Sequence, residues 1–510
     1  MAEKQKISER THPLYNDTLD LWELYYDAAS GGDNFVTEDN LFSHRLEDTE
    51  DYEERLERAY FLNFCDTIPT LYNNYIFKTN IERAPDESLS AFRRDVDGRG
   101  TNISSLVKKV GYFSSVYGIM HCLIDIPPAP KKIVSKADQK SNNLYPYATL
   151  IHPTQLKDWS IDNRGHLNWI IVESTYYEDT EVEKEREEQT HYKVITREKW
   201  WIENEDGDKV KFEDGTPAEG DNPLGMIPLA SMIHKDTDNT MIGESMLKDI
   251  VYVNRAILNW CSCIDEQIER QTFSQLTVPD AGELAEASET GDDPLHKIGT
   301  SSIWTFNAEA KHPPQFISPN VENLNTIWKL TIDHIKEIYR MAGLIGSSDD
   351  MYVSKSGRAA QMGFLGVNSS LAEKAFRYQK FENDISKLAY LQLGKNPEEY
   401  AEVKYPETFD ILALNEELDS QFSVLEKNFS VVLNKQIMKG IARRAVPLAP
   451  QNIRTEIENE IESHSGVIEP IMKFGNPNSQ EDGNPNSNLG KTFRTKEDKE
   501  KDEISKTKKE

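Results

Sequence analysis

The chain has 510 residues, room for two to four domains, and a formal charge of −29 from 58 Lys plus Arg against 87 Asp plus Glu. An acidic surface of this size repels phosphate; it excludes a tight nucleic-acid binder but not a surface past which DNA slides without sticking. The cysteines Cys65, Cys122, Cys261 and Cys263 are too sparse for a disulfide scaffold and suit reduced thiols, the polar start Met1–Lys6 carries no signal pattern, and no 18-residue apolar run is present. A soluble intracellular product is therefore expected.

Leu14, Leu19, Leu21, Trp22, Leu24 and Tyr25 step at helical spacing up to Gly31-Gly32, and Asp51–Phe77 predicts one longer helix. Thr101-Asn-Ile-Ser-Ser offers an N-cap to a helix through Leu106 and Val110. Tyr117–Ile126 predicts a buried strand ended by Pro127-Pro128, and the polar stretch Lys131–Asn143 predicts a mobile loop. From Leu144 to His234 the texture is β, with strands at 167–172, 191–195, 199–202 and 226–233 and turn signals at Asn163-Arg-Gly165, Asp206-Gly207 and Asp214-Gly215.

Two long amphipathic helices follow. In 246–268 the apolar positions are Leu247, Ile250, Val251, Ile257, Leu258, Cys261, Ile264 and Ile268; in 323–342 they are Leu324, Ile327, Trp328, Thr331, Ile335, Ile338, Tyr339 and Ala342. Each would span roughly 30 Å. Helices flanking so small an insert cannot bury their stripes alone, so they must pack on each other or on neighbouring subunits. The insert, 271–319, predicts strands at 273–278, 302–306 and 315–317. Gly343-Leu-Ile-Gly346 stops the second helix, and Ser347–Ser356 predicts a polar loop. A third long helix runs from Gly357 to Leu393, with Gly363 and Gly366 as points of kinking. Val403–Leu414 has strand character; Leu418–Gly440 and Ile453–Ile461 predict helices split by Pro447 and Pro450; the charge-dense tail from Phe474 predicts disorder.

Nothing in the residues points to catalysis, a metal or a cofactor. Gly490-Lys491-Thr492 resembles the end of a phosphate loop, but Pro485 stands where a glycine is needed. Asn204-x-Asp206-Gly207-x₅-Glu213 resembles a calcium loop, but Ile202 holds the first ligand position and a hairpin turn explains it better. His121 in an apolar strand reads as a satisfied core residue, and His334 beside Asp333 and Glu337 as part of a solvated face. Cys261 and Cys263 lie on different faces of a helix and read as packing residues. No carboxylate pair or nucleophile constellation stands out, so a non-enzymatic protein is expected.

In their order these features resemble the portal protein of tailed double-stranded-DNA bacteriophages, over about Leu14–Ser463. The residues that carry the likeness are Tyr52–Phe77; Asn222-Pro-Leu-Gly-Met-Ile-Pro-Leu followed by His234-Lys-Asp and Ile242-Gly-Glu-Ser-Met-Leu-Lys-Asp-Ile250; Ile338-Tyr-Arg-Met-Ala-Gly343, a polar loop and Ser356-Gly-Arg-Ala-Ala-Gln361; and Lys439–Pro447 followed by Thr455–Ile461. One departure is Ala442-Arg443, where the family usually has Ser or Thr.

The resemblance implies an α+β portal fold assembled as a ring. Its wing would be 1–241 with 357–414, the latter including the kinked helix. The stem helices would be 242–270 and 322–345, the small α/β clip 271–321, the tunnel loop 346–356, the crown 415–470, and the disordered tail 471–510. It implies stem packing through Leu247, Ile250, Ile257, Cys261, Ile264, Ile327, Thr331, Ile335 and Ile338. The clip residues Phe273, Leu276, Trp304, Phe306 and Phe316 would dock terminase and adaptor. The channel would be faced by Ser347, Ser348, Asp349, Asp350, Met351, Tyr352, Val353, Ser354 and Lys355. For Lys355 and Arg358, transient phosphate contact and plain solvation both remain open. The implied partners are further copies of the chain in a dodecameric ring, double-stranded DNA without sequence preference, the large terminase, a head-completion adaptor, and the major capsid and scaffolding proteins, with no membrane. The implied location is the capsid portal vertex of the virion, with host cytoplasm during assembly. Alternatives are another minor head or scaffold-associated protein, or a terminase or nuclease subunit.

Overall fold

The computed structural model describes residues 6–78, 81–127, 144–178, 186–212, 215–271, 275–280, 303–307, 315–317, 321–344, 357–407, 409, 423–425, 427, 430–445 and 451–463. Contacts divide the chain into two units, Met1–Asp410 and Ile411–Glu510. Helices and sheets are both well represented, so the expected α+β class holds.

In the first unit the core is built from α1 (Pro13–Ser30), α3 (Phe64–Lys78) and α5 (Ile103–Tyr117), packed with the sheet β3-β2-β9 (Tyr147–Ile151, Ile119–Asp125, Leu229–Ile233). The central strand β2 is buried on both faces, as its unbroken apolar run dictates. The expected N-cap is Asn102, whose Oδ1 accepts from Ser105 N at 2.9 Å. Gly118, at φ +92°, turns α5 into β2; any side chain there would collide with the backbone of Gly243, and the two glycines let these segments touch.

A second, antiparallel sheet runs β4-β5-β6-β7-β8 (Leu156–Ile161, Leu167–Glu178, Glu187–Thr196, Lys199–Asn204, Glu219–Asp221). Strand alternation decides its two faces: Ile170 and Val172 enter the main core, while Ile171, Tyr192 and Val194 form a small cluster on the other side with Trp169, Trp201 and Ile7. The Asn204–Gly207 stretch is a hairpin turn with Gly207 at φ +88° and Asn204 Oδ1 accepting from Asp208 N, as expected. His121 is buried against Ser231 Oγ at 2.7 Å, and burial pushes its imidazole down to about 3, so it stays neutral.

Several elements differ from expectation. The stretch 51–77 is two helices, α2 (Thr49–Arg58) and α3, separated at 59–63. The break is tertiary: Asn254, far along the chain, takes the Leu62 carbonyl and the Phe64 amide. Strand character at 403–414 is confined, among described residues, to β13 (Val403–Lys404), which pairs with β1 (Glu82–Arg83). Cys263 is exposed and not a packing residue, whereas Cys261 is buried. The mobile loop expected at 131–143 and the tail from 471 lie outside the described residues.

The second unit holds α9 (Val431–Ala445) and α10 (Gln451–Ser463), packed together with Lys435 Nζ donating to Glu462 O at 2.6 Å.

Candidate functional site

The two long helices expected from the sequence are α6 (Ile250–Gln271) and α7 (Val321–Met341). Residues 246–249 form a turn ahead of α6, because Ser245 Oγ caps the Leu247 amide at 2.9 Å and donates to Val116 O. Two contacts fix the direction of the pair. Phe64 touches Asn254 and packs edge-on against Tyr339, and Trp260 packs edge-on against His334 at 4.4 Å. Position rises along α6 as it falls along α7, so the helices are antiparallel. His334 is thus a contact between the two helices, not the solvated face expected of it.

The chain between them carries three strands, β10 (Gln275–Asp280), β11 (Ile303–Asn307) and β12 (Gln315–Ile317), in the order β11-β10-β12. β10 runs parallel to β11 and antiparallel to β12, with Leu276 opposite Ile303 and Phe316. Trp304 and Phe306 lie on β11. Phe273 and the whole loop Ser347–Lys355 fall outside the described residues, as does Lys355's neighbourhood; Arg358 lies on the long helix α8 (Gly357–Gln392).

The helix pair is fastened at its base and uncovered above it. Leu247, Ile250, Ile257, Cys261, Thr331 and Ile338 are buried, while Ile264, Ile327 and Ile335 are half-buried. On α6 a polar ladder grips the segment 40–65. Asn254 donates to Leu62 O at 2.9 Å and accepts from Phe64 N at 3.0 Å. Asn259 donates to Asn40 O at 2.8 Å and accepts from Phe42 N at 2.9 Å. Ser262 Oγ accepts from Arg55 at 2.9 Å, and Arg55 also holds both oxygens of Glu47, a hydrogen bond that keeps that carboxyl below its ordinary range. Arg58 continues the ladder to Glu266 at 2.6 Å. The signal for it was three small polar residues, Asn254, Asn259 and Ser262, at near-helical spacing within the more apolar part of the helix.

Large apolar side chains remain in solvent on both helices: Tyr252 is 44% exposed, Ile268 47%, Trp328 49% and Leu330 45%. Trp328 and Leu330, two residues apart, point about 200° apart around α7. Tyr252 and Ile268, by the same periodicity, point about 160° apart around α6. The pair therefore presents uncovered apolar surface on more than one side. At its lower end Tyr72 hydroxyl donates to Ala342 O at 2.7 Å, and Gly343 at φ +69° ends α7 against Ser370. A cleft of about 300 Å³ opens there, lined among others by Tyr72, Ser245, Asp249, Gly343 and Lys374.

Among the described residues no group of three or more His, Cys, Asp or Glu is placed to hold a metal ion, and no helix is long and apolar enough to cross a membrane.

No family model matches the chain, and no curated protein matches it. Among solved structures, a chain described as "Virion of native gene transfer agent (GTA) particle" is similar to 71% of this chain and 84% of its own length, at 11% identity and a TM-score of 0.37.

Proposed function

We propose that the chain is a structural, non-enzymatic subunit of a phage-type virion, of the portal kind: one copy in a closed ring around a channel for double-stranded DNA. The observation that carries this reading is the antiparallel pair α6 and α7, buried at its base and uncovered on more than one side. Every subunit of a head-to-tail ring meets two neighbours through two different surfaces. Trp328, Leu330, Tyr252 and Ile268 leave apolar surface on both helices that such neighbours would cover. The features also follow the order that the sequence shares with portal proteins: α/β body, helix, three strands, helix, polar stretch, long helix. In this reading the three strands meet the terminase motor and later an adaptor, and the net charge of −29 keeps the duplex from adhering to the wall.

Electron micrographs of the purified protein test it directly, with rings bearing a central channel expected. Particles without rings, even at high concentration and with scaffolding protein supplied, would favour the minor-head alternative. Trp328→Glu combined with Leu330→Glu is expected to leave the far-ultraviolet circular dichroism of the folded subunit unchanged, since both are surface positions, and to abolish the rings. Rings that survive the double change would remove the helix pair from the contact. Deleting Asp349–Val353 is expected to leave ring assembly intact and to impair DNA packaging or retention; loss of the ring would take that stretch out of the channel.

A further inference from the structure

Lys374 lies in the middle of α8 with only 3% of its surface exposed. Its amine nitrogen stands 3.1 Å from Ser114 Oγ on α5 and 3.1 Å from Nδ1 of His234, just beyond β9. Neither partner is an anion, and no carboxylate among the described residues pairs with this lysine.

Arg377 and Glu244, the charged groups on either side of it, are engaged elsewhere. On α8, Arg377 pairs with Asp236 at 2.8 Å and with Glu373 at 3.6 Å. Across the cleft Glu244 holds Lys235 and Lys248, Asp249 lines the wall beside them, and Tyr72 of α3 closes the far side with its proton given to Ala342. The Tyr378 ring lies 5.7 Å from the amine. A buried lysine with two neutral acceptors and the Arg377 guanidinium acting on it is disfavoured as a cation. Burial, then Arg377, pushes its amine down to about 7. The Nδ1 of His234 faces the amine. Burial, then Lys374, Arg377 and Lys235, holds that imidazole well below its ordinary range.

We propose that Lys374 and His234 are a one-proton pair that makes the seating of α8 on α5 and β9 dependent on pH. Near neutrality the amine donates to Nδ1, and the two nitrogens hold one exchangeable proton between them beyond those of the neutral bases. In alkali that proton leaves and the contact persists as a neutral hydrogen bond. In acid a second proton would set two cations 3.1 Å apart, and the pair admits it only by separating, which unseats α8.

Both groups are depressed in the folded chain, so the unfolded chain binds more protons wherever pH lies between the folded and unfolded values. Stability then rises with pH: for Lys374 from about 7 up toward its ordinary 10.5, and for His234 through the range below its ordinary 6.5.

Calorimetry of the full chain at one protein concentration, from about pH 5 to about pH 9.5, is read as the difference between variant and wild type at each pH, so that an assembly contribution common to both cancels. The wild type is compared with Lys374→Met, which keeps the shape of the side chain without the charge, and with His234→Gln, which still accepts the amine's hydrogen but takes no proton. Lys374→Met should gain on the wild type as pH falls, the difference in melting temperature growing by roughly 3 °C or more across the range. His234→Gln should follow the wild type above pH about 6.5 and lose less stability below it. A pH-independent difference for Lys374→Met overturns the proposal. So does a His234→Gln curve parallel to the wild type in acid. A Lys374→Met chain that cannot fold in mild acid overturns it as well, because a lysine that only burdens the core there cannot be required for folding.

Discussion

Ile257→Asp is expected to yield no folded chain. Ile257 is fully buried in the main core, on the face of α6 turned toward the body and not on the ladder that grips residues 40–65. An aspartate there loses the apolar contacts of the isoleucine and places a carboxylate where no cation can follow. The isoleucine alone contributes about 2–5 kcal/mol when truncated, and the buried carboxylate adds several more. Their sum rivals the whole stability of a typical domain, about 5–15 kcal/mol. Circular dichroism and calorimetry of the purified variant check this: loss of the cooperative transition is expected. A variant that melts and assembles like the wild type would show this face of α6 to be open to solvent. Ile257→Val, which removes one methylene, should cost only about 1 kcal/mol, and so separates a packing defect from the charge.

Glu382→Ala should have the second-largest effect, by a different route. Glu382 is fully buried on α8 and takes both forks of Arg83, at 2.5 and 2.9 Å, together with the Tyr405 hydroxyl at 2.7 Å. These bonds clamp the β1–β13 pair to the long helix. Burial first, and then the Glu382 charge, push the Tyr405 hydroxyl well above its ordinary range, so it stays a donor. Removing the carboxylate strands a largely buried guanidinium, a loss of about 3–5 kcal/mol. Replacing both partners with methionine should recover most of that loss, because desolvating the pair cancels much of its attraction. Denaturant midpoints of the two single variants and the double variant measure the difference. A double variant as weak as Glu382→Ala would mean that the pair itself, and not the stranded charge, holds the clamp.

Where one element's periodicity met one partner, the sequence was legible. Trp22 on α1, Val110 on α5 and Ile338 on α7 are buried as their spacing predicts. The strands 119–125, 167–178 and 199–204 fall on the stretches 117–126, 167–172 and 199–202 expected from their apolar residues, the second running six residues further. What could not be read depends on residues distant in sequence. The break at 59–63 contains neither Gly nor Pro; it exists because Asn254 supplies the backbone partners that a continuous helix would have supplied itself. Trp328 falls in the apolar stripe of α7, yet half of it is in water, because periodicity reports which face is apolar and not how much of that face a single chain covers. Lys374 gave no signal, since a lysine in a long helix is ordinarily solvated.

The grip on α6 has a consequence for how the chain tolerates change. Asn254 and Asn259 bind the main chain at Asn40, Phe42, Leu62 and Phe64, never their side chains. Any residue other than proline at 42 or 64 presents the same amide, and any residue at 40 or 62 presents the same carbonyl. No residue but asparagine both gives and accepts at that reach, because glutamine is one carbon longer and aspartate cannot donate. The contact is therefore lopsided under mutation. Those four positions are free to drift as far as these bonds are concerned, while two asparagines, each nearly two hundred residues or more away, carry all four of these bonds.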